Sequence, residues 1–288
     1  MNKKITPYLY IIPLFAAISL LILVPAFGTF INSFYRDVTF LDKEFIFFSN
    51  YLSLFGDNGF VQSLRFTVMF TLISVPFEMA LGVMLALLLN EKIPGRGFLR
   101  VAVLIPWAIP VAVSGRIWQL IYNYSYGLIN TIFLSLGISD APVNWLGTGT
   151  SAFVSLVIAD AWKTVPFVAI IILAGLQSIP DEIHEQAKTD GAGIFQRFFL
   201  LVLPILKPVI IVALLFRTID ALRIFDIIFV ITGGGPGGST NSLSLYAYNY
   251  YLSGDFGAGS AVSVILFLIA LILSVVYVSA GKFSEDMK

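Results

Sequence analysis

Long apolar runs alternate with short polar connections along this chain, and the lengths of the runs decide what they form. A helix needs roughly 20 mainly apolar residues to cross about 30 Å of hydrocarbon. Six stretches reach that length: residues 8–31, 65–89, 98–122, 152–177, 200–230 and 260–281. None alternates with period two. Unpaired backbone groups in lipid cost several kcal/mol each, so such continuous runs predict helices rather than a closed barrel. The fifth run is long and polar at its end. It is expected to finish spanning near residue 219 and to continue as a different element. With no linker and no shift of composition, the expectation is a single transmembrane domain over residues 1–288, an all-α bundle of six spans.

Composition agrees with this pattern. Of 288 residues, 58% are hydrophobic and 12% charged, whereas a soluble domain carries about 25% charged residues. The 17 basic and 17 acidic residues balance, so charge gives no sign of a nucleic-acid partner, and the absence of cysteine excludes disulfides, thiolate metal sites and cysteine nucleophiles. Met1-Asn2-Lys3-Lys4 before an apolar run resembles a signal peptide. The run from Tyr8 to Phe30 is too long for one and lacks an A-x-A site, so it is read as a retained anchor. Lys and Arg in the connections set orientation. Lys3, Lys4, Lys92, Arg96, Arg100, Lys188, Arg197, Lys282 and Lys288 fall on one side, and Arg36 and Lys43 on the other. That asymmetry places both termini in the cytoplasm of a multi-pass cell-membrane protein.

The connection between the fourth and fifth runs is different in kind. Ser178, followed three residues later by Asp181, reads as a helix N-cap with Pro180 in the first turn, and Gly191 as a C-terminal stop. A short polar helix is predicted over residues 179–190, with Ile183 and Ala187 four apart on one small apolar face. That face suits either a groove on another protein or the surface of the chain's own bundle.

Glu185-Gln186-Ala187, Gly191 and then Leu201-Val202-Leu203-Pro204 have the spacing of a known pattern. The segment resembles the EAA loop of importers of the ATP-binding-cassette superfamily, departing from it at Gln186 and Leu201. Phe216–Asp226, Val230–Pro236, Asp160-Ala161-Trp162-Lys163 and Pro94-Gly95-Arg96-Gly97 resemble the compact carbohydrate-importer membrane subunits related to the maltose-transporter channel subunit. The resemblance covers residues 8–280. It implies a type I importer permease fold, and a subunit that forms half of a sugar pathway without binding a cofactor of its own. It also implies partners: a second homologous permease subunit, two cytoplasmic ATPase subunits that use ATP and Mg, and an extracytoplasmic sugar-binding protein. By the same resemblance Glu185, Gln186, Ala187, Asp190 and Gly191 couple the chain to the ATPase. Gly191 is expected to allow a tight turn and a close approach that a Cβ would block.

A charge near the bilayer centre is costly and normally faces a partner or a wet cavity. Glu78, Arg116, Asp160, Lys163, Arg217, Asp220, Arg223 and Asp226 are such charges. Three-residue spacing pairs Asp160 with Lys163, Asp220 with Arg223 and Arg223 with Asp226. These pairs either lock helices together or line a water-filled path. Sugar recognition adds aromatic faces, so Trp162, Lys163, Asp220, Arg223, Asp226, Asn249 and Tyr250 are the candidate pathway residues, although membrane Trp and Tyr also form interfacial belts. Gly233–Thr240 nearly spells a phosphate loop, but Ser239 stands where the lysine is required. It is read as a flexible extracytoplasmic loop. No catalytic or metal motif is present in the sequence. Two rival readings are an ion-driven secondary transporter, which needs no docking loop, and a membrane scaffold whose charges only glue helices.

Overall fold

The computed structural model describes residues 6–281, and side chains from Tyr10 onward except that of His184. Lys3, Lys4, Lys282 and Lys288 of the orientation argument lie outside these residues.

Contacts divide the chain into two compact units, one joining residues up to Val61 with Leu243–Leu268, the other joining Gln62–Ser242 with the residues from Ile269 on. In the first unit, α1 (Tyr10–Asn32) is apolar and exposed throughout, as a lipid-facing helix must be. After it the chain turns through a two-stranded hairpin, β1 (Tyr35–Arg36) and β2 (Glu44–Phe45), which apolar periodicity did not predict. Its two basic residues are each paired, Arg36 with Glu44 and Lys43 with Asp37 at 2.9 Å. The Asn50 side-chain amide donates to the carbonyls of Ser33 and Tyr35 at 2.9 Å, which ties the hairpin to α2 (Ser49–Phe55).

In the second unit, three long helices carry the core: α3 (Asn58–Asn90, whose first turns belong to the other unit), α7 (Gly149–Gln177) and α9 (Ile194–Leu222). Val75, Met79, Ala86 and Leu89 of α3 pack with Val168, Ile172 and Leu176 of α7 and Val202, Leu206 and Ala213 of α9. A Cβ at Gly82 would stand 2.4 Å from Val168, so glycine sets the closeness of α3 and α7.

The 98–122 stretch departs from expectation. It is two helices, α4 (Arg96–Ala108) and α5 (Val111–Ile121), bent by 90°. Pro110 has no N–H for a helical bond and pushes the residue before it into extended conformation, and Ile109 has φ −70° and ψ 135°. Apolar content survives this break, which is why the run reads as one straight span. With α4 and α5 counted together there are up to six spans. A short α6 (Leu128–Ser135) follows α5. The fifth run behaves as expected: α9 ends at Leu222 and a separate α10 (Asp226–Ile231) follows. Val230 of α10 packs on Gly115 of α5, where an added Cβ would lie 2.9 Å away. The described chain closes with α11 (Leu243–Leu252) and α12 (Phe256–Gly281).

Candidate functional site: a charged cavity and a short polar helix

The deepest polar feature of the second unit joins three spans. Arg217 of α9 donates to Glu78 of α3, through Nη2 at 3.1 Å and through Nε, and also to Asp160 of α7. All three are buried. Sequence spacing pairs Asp160 with Lys163, but Asp160 takes its partner from another helix. The Lys163 ammonium turns instead to the break between α4 and α5, donating to the Trp107 carbonyl at 3.1 Å and to that of Ile109. These carbonyls lose their helical partners at the bend, so the lysine caps the C-terminal end of α4 and complements its dipole.

Beside these groups lies a cavity of about 600 Å³, lined from the break by Trp107, Ile109, Pro110 and Val111, from α7 by Asp160, Lys163 and Thr164, and from α9 to α10 by Arg217, Asp220 and Arg223 to Ile227. Asp220 Oδ1 accepts from Arg223 Nη2 at 2.7 Å and Nε at 3.1 Å, the pair expected from its spacing. The expected second pairing of Arg223, with Asp226, is not formed. Asp226 has no ion pair or side-chain hydrogen bond among the described residues.

The cavity thus brings together Lys163, Asp220, Arg223 and Asp226 of the candidate residues. Trp162 lines a different, apolar cavity with Phe77, Leu81, Val103 and Pro106. Residues 160, 163 and 164 share one helix face and 162 points away from it, a distinction the sequence already carries. The aromatic faces at the charged cavity are Trp107, stacked 5.6 Å from Phe167, and Phe225. Asn249 and Tyr250 belong to the first unit. There the hydroxyls of Tyr246 and Tyr250 donate to Asp57, whose other oxygen accepts from the Gly59 N–H at 2.8 Å at the start of α3. The Tyr246 hydrogen bond holds the Asp57 carboxyl below its usual range, and burial pushes both tyrosines up.

The predicted cytoplasmic helix is α8 (Asp181–Thr189), with Asp181 and Glu182 in the first turn and Lys188 in the last, the order its dipole favours. One detail differs from expectation. Ser178 does not cap its start. Its hydroxyl donates to the Gly175 carbonyl at 2.7 Å and finishes α7, while Pro180 precedes α8 without a side-chain cap. At its end, Ala192 N–H reaches the Ala187 carbonyl and Gly191 N–H that of Lys188, both at 3.0 Å, with Gly191 at φ +77°: a complete Schellman turn. No atom of this chain lies within 4 Å of a Cβ built on Gly191, so within the chain the need for glycine is conformational. Of the two placements open to the apolar face, the chain's own bundle is the one observed. Ala187 is buried and Ile183 packs against the core of its own bundle, leaving Glu185, Gln186, Lys188 and Asp190 exposed. Lys92, in the α3–α4 connection, holds Asp181 at 2.8 Å.

The glycine-rich loop is internally bonded, contrary to the flexible loop expected. Buried Thr240 donates to the Gly235 carbonyl at 2.6 Å, pairs with the Thr232 hydroxyl at 2.8 Å, and its N–H reaches Gly234 at 3.1 Å.

Residues 78–284 match the family described as binding-protein-dependent transport system inner membrane component. The chain is 53% identical over 97% of its length to the trehalose/maltose transport system permease protein MalF of Thermococcus litoralis, covering 94% of that relative. It is 39% identical over 96% of its length to the sulfoquinovosyl glycerol transport system permease protein SmoG of Agrobacterium fabrum, covering 90%. In fold it matches a chain of a bacterial ABC transporter involved in the import of the acidic polysaccharide alginate, with a TM-score of 0.85, 22% identity and 97% of each chain covered.

Proposed function

Since this chain belongs to the family of binding-protein-dependent transport inner membrane components, we propose that it is the permease subunit of an ATP-driven sugar importer and forms half of the translocation pathway. The observation that carries this reading is the cavity at the break of the third span. It is polar, lined by carboxylates, cations, Thr164 and the Trp107 face, and set among helices that are otherwise apolar. Carboxylates and hydroxyls accept hydrogen bonds from sugar hydroxyls, and an indole face packs on sugar C–H surface.

The stroke enters through α8. Partner ATPases, closing on ATP and Mg, grip its exposed side at Glu185, Gln186 and Asp190. Its inner face bears on the core through Ile183, and that core continues along α7 and α9 to Asp160 and Arg217. Movement of α8 therefore reaches the helices that shape the cavity. In this reading residues 1–288 form one permease domain, both termini are cytoplasmic, a second homologous permease completes the pathway, and an extracytoplasmic binding protein delivers the sugar. The subunit itself catalyses no reaction.

Reconstitution in vesicles with the second permease, the ATPase and the binding protein tests this. Uptake of labelled trehalose or maltose should require ATP. Glu185→Lys should abolish uptake while the chain stays in the membrane at wild-type amounts. Uptake that proceeds without ATP on an ion gradient, or that Glu185→Lys leaves intact, overturns the reading.

A further inference from the structure

The charges around the cavity are unevenly committed. Lys163 is spent on the Trp107 and Ile109 carbonyls and Arg217 on Glu78 and Asp160, and exposed Arg223 gives Nε and Nη2 to Asp220. The anions are less fully committed. Asp226 is exposed and bonded to nothing among the described residues, and Asp220 uses only Oδ1. The lining itself holds three carboxylates and three cations, so the formal charges balance and the asymmetry lies in which of them are free.

We propose that this cavity is charge-selective, accepting neutral polyhydroxylated sugars and rejecting sugars that carry a carboxylate or other anion, with Asp226 as the discriminating residue. The inference rests on the importer reading above and adds the class of sugar. A neutral sugar offers hydroxyl donors to free carboxylate oxygens and asks for no cation. An anionic sugar finds Lys163 and Arg217 occupied and Arg223 paired with Asp220, and it meets the unpaired Asp226. Like charges brought together repel, and such repulsion is a common source of specificity.

Two open-chain maltose derivatives isolate charge from shape: maltitol, reduced to a terminal alcohol, and maltobionate, oxidised to a carboxylate at the same end. They are set to compete with labelled maltose for the solubilised complex of both permeases and the ATPase, without the binding protein, so that only the pathway selects. Maltobionate should compete at least roughly a hundredfold worse than maltitol. Asp226→Asn should weaken maltitol and strengthen maltobionate, shrinking that ratio below about tenfold, opposite shifts that a general loss of structure does not produce. Asp220→Asn, which frees Arg223, should bring the two competitors level. Equal competition in the wild type, or a ratio unchanged in Asp226→Asn, overturns the proposal. ATP-driven maltose or trehalose uptake by the same complex with its binding protein judges the importer reading separately: uptake without charge discrimination sinks this inference alone.

Discussion

Between Ser178 and Pro204 the chain makes its decisions locally. Gly191 closes α8, Ala187 four residues earlier turns inward, and the acids and the lysine of α8 sit at the ends its dipole prefers. The cavity is built the opposite way. Lys163 reaches back to Trp107 and Ile109, and Arg217 reaches Asp160 and Glu78, residues far away in sequence that meet only once the spans have packed. Damage should differ accordingly. A local element loses its own shape, whereas a long-range network loses the packing of several helices at once.

The largest expected effect tests the network. Arg217→Met removes the one cation from between two buried carboxylates, and breaking a buried ion pair by deleting one partner costs about 3–5 kcal/mol. The variant should show much less folded protein in the membrane and earlier thermal unfolding in detergent. Combining it with Glu78→Gln and Asp160→Asn, which removes the stranded charges, should restore much of that loss. If Arg217→Met is as stable as wild type, the three helices are held by apolar packing alone.

The same contrast explains what the sequence revealed. Five of the six runs supply one unbroken helix long enough to span, because apolar length is a direct response to bilayer thickness. The third was misjudged at Pro110, since hydropathy records composition and not backbone angles. Gly191 and α8 were legible because a left-handed terminal residue and a polar segment too short to span leave marks within a few positions. The Asp220–Arg223 pair was legible for the same reason, and the Arg217 triad was not, because three-residue spacing supplies only partners on the same helix. Trp162 was chosen by residue type, and it lines a separate apolar cavity, as the three- and four-residue spacing of Asp160, Lys163 and Thr164 already implied.

A smaller effect probes the local element. Gly191→Val forces a β-branched residue to φ +77°, at a cost of about 1–2 kcal/mol. With no atom near the new Cβ the penalty is conformational, so Gly191→Asn, which tolerates that angle, should stay close to wild type. The valine variant should be present in the membrane in normal amount but transport less sugar for each ATP hydrolysed. Equal defects in valine and asparagine variants would mean that a partner needs the bare glycine surface.

The smallest effect concerns the ion pair that joins α8 to the α3–α4 connection. Lys92 and Asp181 are 77% and 69% exposed, and pairs so open to water are strongly screened. Lys92→Gln should therefore change uptake by less than roughly twofold. The pH dependence follows in sign from the lysine: the Asp181 hydrogen bond raises its pKa, so the contact is fully present below the ordinary lysine range and fades only as pH climbs above it. Uptake measured between pH 6 and pH 8 should show no step that Lys92→Gln removes. A large loss in this variant would mean that the pair is desolvated when the ATPase is docked on α8, and that this seemingly incidental contact belongs to the long-range class after all.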